Sequence, residues 1–291
     1  MSQSKKGTRG KAIGYIVLSA FCFAAMSAFV RLAGDLPTME KVIFRNAIAA
    51  LVAWIILLRS RQPVGVERKH IPDLLLRSIC GTIGLICNFY AVDHMNIGDA
   101  QALNKLSPFF AIIASIFLLK EKPEKYDWAA VCIAFGGALL VVRPGFTLVP
   151  LPALIATLGG LGAGVAYTLV RRLGQKGVKG PFVVMFFSTF SSLVCLPFFI
   201  TNYQSMTMSQ FFCLLAAGIC AAGGQLTVTA AYMYAPAKEI SVFDYTSVIF
   251  AALWGLLLFG QLPDLWSFLG YALIIGAAFF RWSRSRREEK A

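Results

Sequence analysis

Apolar runs of membrane-spanning length alternate along this chain with short polar connections. A bilayer core of about 30 Å needs about 20 apolar residues per helix. Ten stretches meet or approach that length, roughly 12–33, 41–58, 71–92, 99–119, 127–143, 150–170, 180–202, 209–232, 240–261 and 265–282. The pattern predicts an all-α membrane protein of ten transmembrane helices, with no stretch left over for a soluble domain. The opening MSQSKKGTRGK is basic, and no small-x-small cleavage signal precedes Arg31. The first run therefore reads as a retained membrane helix and not as a cleaved leader.

The fourth stretch is lopsided. Asp99, Gln101, Asn104, Lys105 and Ser107 crowd its first part, and after Pro108 the eleven residues Phe109–Leu119 carry no charge. A membrane helix tolerates such a polar half when it faces a water-filled cavity. The same stretch recurs 140 residues on, where Glu239 stands for Asp99, Ser247 for Ser107 and Pro263 for Pro123. Aligned without gaps at that offset, Ile79–Ala138 and Ile219–Ala278 share eleven identities in sixty positions. Apolar composition inflates such a count, so the ungapped register and the matched glycine, acid, serine and proline carry more weight. The expected repeats are 11–143 and 150–282. Five helices per repeat is an odd number, so the second copy lies inverted, with a substrate site near the midplane at the interface of the two.

Composition agrees with a membrane protein: 58% of residues are hydrophobic and 14% charged, against about a quarter charged in an ordinary globular domain. The net charge of +13 would suggest nucleic acid, but the charges fall in short clusters between apolar runs. No basic face or nucleic-acid motif accompanies them, so no nucleic-acid partner is expected. With the ten stretches as boundaries, 22 of the 27 Lys and Arg lie on one side. Arg31, Lys41, Arg45, Lys105 and Arg143 are on the other. The bias places both termini in the cytoplasm, in the inner or plasma membrane of the cell.

All seven cysteines sit inside apolar runs with no C-x-x-C and no nearby histidine, and read as small packing residues. No metal or other cofactor is expected. Gly160-x-x-x-Gly164 fits close helix packing within one chain, leaving a monomer or a weak homodimer.

SPFFAIIASIFLLKEKP and GDLP…FRNAIAALV, with the ten helices in two inverted halves, resemble the EamA branch of the drug/metabolite transporter superfamily. The resemblance spans about residues 11–282. It implies a helical basket around a central cavity lined mainly by helices 1, 3, 4, 6, 8 and 9, with helices 5 and 10 peripheral. It further implies a permease for amino acids, metabolites or related small molecules, often an exporter. No family motif fixes the substrate.

Candidate binding residues follow from depth. At 1.5 Å per residue Ser107 lies about 12 Å from one face and Ser247 about 12 Å from the other, so they flank the midplane. Tyr245 would serve as an apolar wall beside them. Asn88, Asn104 and Gln225 offer amides to a polar substrate. The same counting separates Lys105 from Asp244 by about 13 Å in height, which predicts an outer and an inner vestibule residue and no ion pair. Arg45, four residues into the second stretch, is expected to snorkel outward. Tyr90, Tyr167 and Tyr232 are expected in the interfacial aromatic belt. Pro108 predicts a break in the fourth helix that the ninth, with Val248 there, would lack. The leading function is a permease that exports a small polar or amphipathic, amino-acid-like or related metabolite by alternating access. The alternative is a lipid-modifying membrane enzyme. That would need clustered acids or a nucleophile with its base, whereas the two histidines, His70 and His94, sit at helix ends.

Overall fold

The computed structural model describes residues 2–60, 66–120, 124–142, 151–235, 240 and 243–288. Arg61, Lys122, Pro123, Arg143, Lys238, Glu239 and Lys290 fall outside them. The described chain is helical: α1 Ser2–Leu32, α2 Thr38–Arg59, α3 Ile71–His94, α4 Ile97–Asn104, α5 Ser107–Leu118 and α6 Lys125–Val142. The second half supplies α7 Leu151–Gln175, α8 Gly180–Thr201, α9 Met208–Tyr234, α10 Thr246–Phe259 and α11 Leu265–Glu288. Among the described residues eight spans are long and apolar enough to cross a membrane, α4 and α5 together forming one of them. The 14-residue α10 is a shorter apolar helix. The outer surface is apolar as lipid requires: Phe117 is 78% exposed and Leu58 69%.

Packing repeats the internal symmetry of the sequence. The offset of 140 carries α1 onto α7, α2 onto α8, α3 onto α9 and α6 onto α11. Contacts obey the same exchange, since α1 packs on α9 as α7 packs on α3, and α1 on α10 as α7 on α5. The pairs α2 with α8 and α6 with α11 join each element to its own counterpart. Five crossings reverse the direction of the chain, so this exchange relates two inverted halves. The α6–α11 pair touches mainly itself and α4, and is peripheral.

Glycine sets how closely the halves approach. A Cβ on Gly164 would lie 2.5 Å from the Ser107 carbonyl oxygen, and one on Gly162 would lie 2.7 Å from that of Cys80. Gly160 would meet the carbonyls of Leu103 and Asn104 at 3.1 and 3.0 Å. With no side chain in these places, α7 seats its backbone directly on α3, α4 and α5, as the small-residue spacing predicts.

Ion pairs tie the ends of the bundle. Lys41 Nζ meets Asp93 at 2.7 Å, and the Arg31 guanidinium donates to the Val92 and Met95 carbonyls at 3.1 and 2.6 Å. At the other end of α3, Asp73 holds Lys176 at 2.7 Å and Arg172 at 3.4 Å. Between α6 and α11, Arg281 Nε donates to Asp127 at 2.6 Å.

The helix break differs from the sequence expectation. The first repeat breaks at Lys105–Leu106, with Pro108 in the first turn of α5. The second repeat breaks too, at Tyr245, immediately before α10. There Val248 N–H donates back three residues to the Tyr245 carbonyl, as Phe109 N–H does to Leu106. A tightened turn of this kind needs no proline, so the break follows the repeat and not Pro108.

Candidate functional site

Charged side chains inside apolar helices are costly and concentrate where they face protein or water. Here they converge. A cavity of 90 Å³ lies between the halves, walled by Asn88, Gln101, Asn104 and Lys105 from the first and by Tyr167, Phe187 and Gln225 from the second. Arg45 of α2 and Arg77 of α3 also line it, at 3% and 2% exposure. Because α2 and α8 contribute Arg45 and Phe187, the lining departs from the helix set that the resemblance implied, and α10 adds no lining residue.

Arg45 donates to Asn46 Oδ1 and, at 3.3 Å, to Gln225 Oε1 across the repeat interface. Asn46 in turn donates to Ser191 Oγ at 2.7 Å, which fixes α2 against α8. The Arg77 guanidinium lies over the Phe187 ring, 3.7 Å from its centroid, and that of Arg45 is 5.7 Å from the same centroid. Gln101 donates to Ser27 Oγ at 2.9 Å, and Ser27 donates to the Phe23 carbonyl at 3.1 Å. Tyr167 stacks on Tyr232, with ring centroids 5.0 Å apart.

Four of the eight residues singled out from the sequence, Asn88, Asn104, Lys105 and Gln225, line the cavity. Ser107, Asp244, Tyr245 and Ser247 are buried at the two helix breaks, outside the lining. Among the described residues Ser247 Oγ and Tyr245 Oη have no hydrogen-bond partner, and Tyr245 packs its ring toward Phe109 with centroids 6.3 Å apart.

Three expectations are corrected. Lys105 and Asp244 do pair: Nζ and Oδ2 are 2.8 Å apart, with side chains 7% and 2% exposed. Depth counting assumed two continuous helices normal to the bilayer. The breaks at 105–106 and 245 remove that assumption, and the long lysine side chain spans what height remains. The contact is close but poorly aligned, leaving both Asp244 oxygens without a well-directed hydrogen bond. Arg45 does not snorkel outward but turns into the cavity, where Gln225 and Asn46 receive it. Tyr167 and Tyr232 likewise face inward as a stacked pair.

The sequence reading missed Arg77, which the charge count put on the cytoplasmic side, just beyond the second connection. The signal was present, because Arg77 lies within the third apolar run and the rule for intramembrane charges applies to it.

Two inverted helical halves packed about a cavity with charged side chains in its wall make the architecture of a membrane transporter. The chain belongs to the EamA-like transporter family, whose model matches residues 10–143 and 151–282. It is similar to the pseudopaline exporter CntI of Pseudomonas aeruginosa, 32% identical over 90% of this chain and 92% of that one. An uncharacterized transporter of Helicobacter pylori is 28% identical over 90% and 91% of the two chains. Human solute carrier family 35 member G1 is 26% identical over 98% and 84%. A solved crystal structure superposes with a TM-score of 0.70, covering 96% of this chain and 99% of its own at 18% identity, which speaks to the fold alone. The chain is thus a multi-pass membrane transporter for a small molecule, and family and relatives place it among carriers and not enzymes.

Proposed function

We propose that this transporter exports a small polar, amino-acid-like metabolite across the cell membrane by alternating access, with both termini in the cytoplasm. The small cavity between the two halves, with arginine, lysine and amide side chains in its wall, carries the reading. At 90 Å³ it is well below the roughly 300 Å³ at which ligand-sized pockets begin. A whole metabolite fits only when one half moves against the other, the motion that inverted repeats permit. Ser107, Asp244, Tyr245 and Ser247, at the breaks where such motion would act, join Asn88, Asn104, Lys105 and Gln225 around the substrate as the cavity widens. The unpartnered Ser247 and Tyr245 hydroxyls support that assignment. Similarity to an exporter supports the outward direction, and the bias of Lys and Arg supports the orientation.

Comparing cells with and without the chain by mass spectrometry of medium and cell extract tests the export reading. Loss of the chain should deplete at least one small polar metabolite from the medium and raise it inside, each by severalfold. Identical profiles contradict export. A metabolite that instead remains in the medium when the chain is lost makes it an importer.

A further inference from the structure

Building on that permease reading, we infer that Arg45 and Arg77 form a site for a substrate carrying two negative charges on oxyanion groups. Both guanidiniums are at least nine-tenths buried, both line the cavity, and both lie against Phe187. Among the described residues Arg45 Nε, Arg77 Nε and Arg77 NH1 have no hydrogen-bond partner. The groups that do receive Arg45, Asn46 and Gln225, are neutral amides.

No carboxylate among the described residues pairs with either arginine. Asp244 meets Lys105, Asp93 meets Lys41, Asp73 meets Lys176 and Arg172, and Asp127 meets Arg281. Asp99 accepts from Tyr271, and Glu40 from the Gln204 backbone. The cavity thus concentrates two positive charges that no described carboxylate neutralises, beside a lysine that Asp244 does. Lone buried ions are strongly unfavourable, and two like charges side by side more so. A guanidinium fork facing a cavity matches a carboxylate or a phosphate through paired N–H donors. Two such forks match two acidic groups, or one doubly charged group held between them.

Gly81 makes room for this arrangement. A Cβ there would lie 2.8 Å from Arg77 NH1 and 2.9 Å from the Phe187 ring, so alanine would displace the guanidinium without removing its charge.

Thermal unfolding of the full chain in detergent, at fixed chloride, tests the site with four probes. Glutarate carries two carboxylates, glycerol phosphate a phosphate monoester, butyrate one carboxylate, and glutaramide no charge. At least one of the two dianions should raise the midpoint by on the order of 5 °C at a hundredfold excess over its Kd. Whether glutarate or glycerol phosphate does so separates dicarboxylate from phosphate. Butyrate should act clearly less and glutaramide not at all. Butyrate matching both dianions would overturn the proposal.

Arg77→Met should raise the midpoint without ligand, because it removes an uncompensated buried charge, and should abolish the dianion response. A lowered midpoint with the dianion response intact would mark Arg77 as structural and overturn the site. Should Arg77→Met fail to fold, Gly81→Ala provides the same decision: a weakened dianion response supports the site, an unchanged one removes it. A chain that binds dianions but moves no solute keeps the site and loses the permease reading. One that moves a neutral solute equally well with Arg77→Met keeps the permease and loses the site.

Discussion

Asp244→Ala should destabilise the purified protein by about 3–5 kcal/mol, because it strands a buried lysine ammonium without its counter-charge. Lys105→Ala should do the same to Asp244. Both side chains are less than one-tenth exposed, so solvent does little to screen the loss. The double replacement Lys105→Met with Asp244→Leu should recover most of that stability, since an apolar pair of similar volume replaces two desolvated charges. Transport should not recover with it, because Lys105 lines the cavity. The exchange Lys105→Asp with Asp244→Lys should recover part of the stability lost in either single variant. Thermal unfolding of the four variants and the parent in one detergent measures all of this. Single variants within about 1 kcal/mol of the parent would show that the pair is solvated as surface ion pairs are.

The pair matters because of where it stands. Lys105 is at the break of the first repeat and Asp244 is beside the break of the second, so the contact joins the two halves at their helix breaks. Movement of one half against the other has to stretch or part it.

Gly164→Ala is expected to be nearly as damaging, for a steric reason. The new methyl would sit 2.5 Å from the Ser107 carbonyl oxygen, 2.8 Å from Phe110 Cβ and 2.9 Å from the Ala111 nitrogen. Two of these are backbone atoms and cannot rotate away, so α5 must back off from α7. Overpacking of this kind costs about 1–3 kcal/mol, and displacing α5 also moves the Lys105 break, so flux should fall by tenfold or more. Gly136→Ala is the control. Its Cβ would meet nothing within 4 Å, and alanine favours a helix over glycine by about 0.8–1 kcal/mol. The control should therefore be neutral or slightly stabilising. Equal loss in both variants would mean that the effect is not close packing of α7.

How much of this was legible in the sequence depends on which physical quantity it encodes. The spans were legible because bilayer thickness dictates apolar run length, and the inverted halves because an ungapped offset of 140 ties an odd number of helices together. Asn88, Asn104, Lys105 and Gln225 were legible as polar residues with no reason to face lipid. The Lys105–Asp244 pair was not, since height along a helix follows from residue count only while the helix is continuous. The break at Tyr245 carries no proline to announce it. Arg45 and Arg77 were misplaced for a related reason. Each is a few residues inside its run, where sequence alone does not distinguish a side chain reaching outward to water from one turned into a cavity. Their direction is decided mainly by Phe187 and Gln225 from the other half of the chain, with the neighbouring Asn46 receiving Arg45.

Reconstituted flux tests the central claim most directly. Liposomes holding the purified chain would be loaded with the metabolite whose excretion depends on it, and efflux would be followed against concentration. A transporter working through the described cavity gives efflux that saturates. It should also fall by at least about tenfold in the folded double variant Lys105→Met with Asp244→Leu. Efflux that rises linearly with concentration, or that is as fast in liposomes without protein or with the double variant, would contradict it.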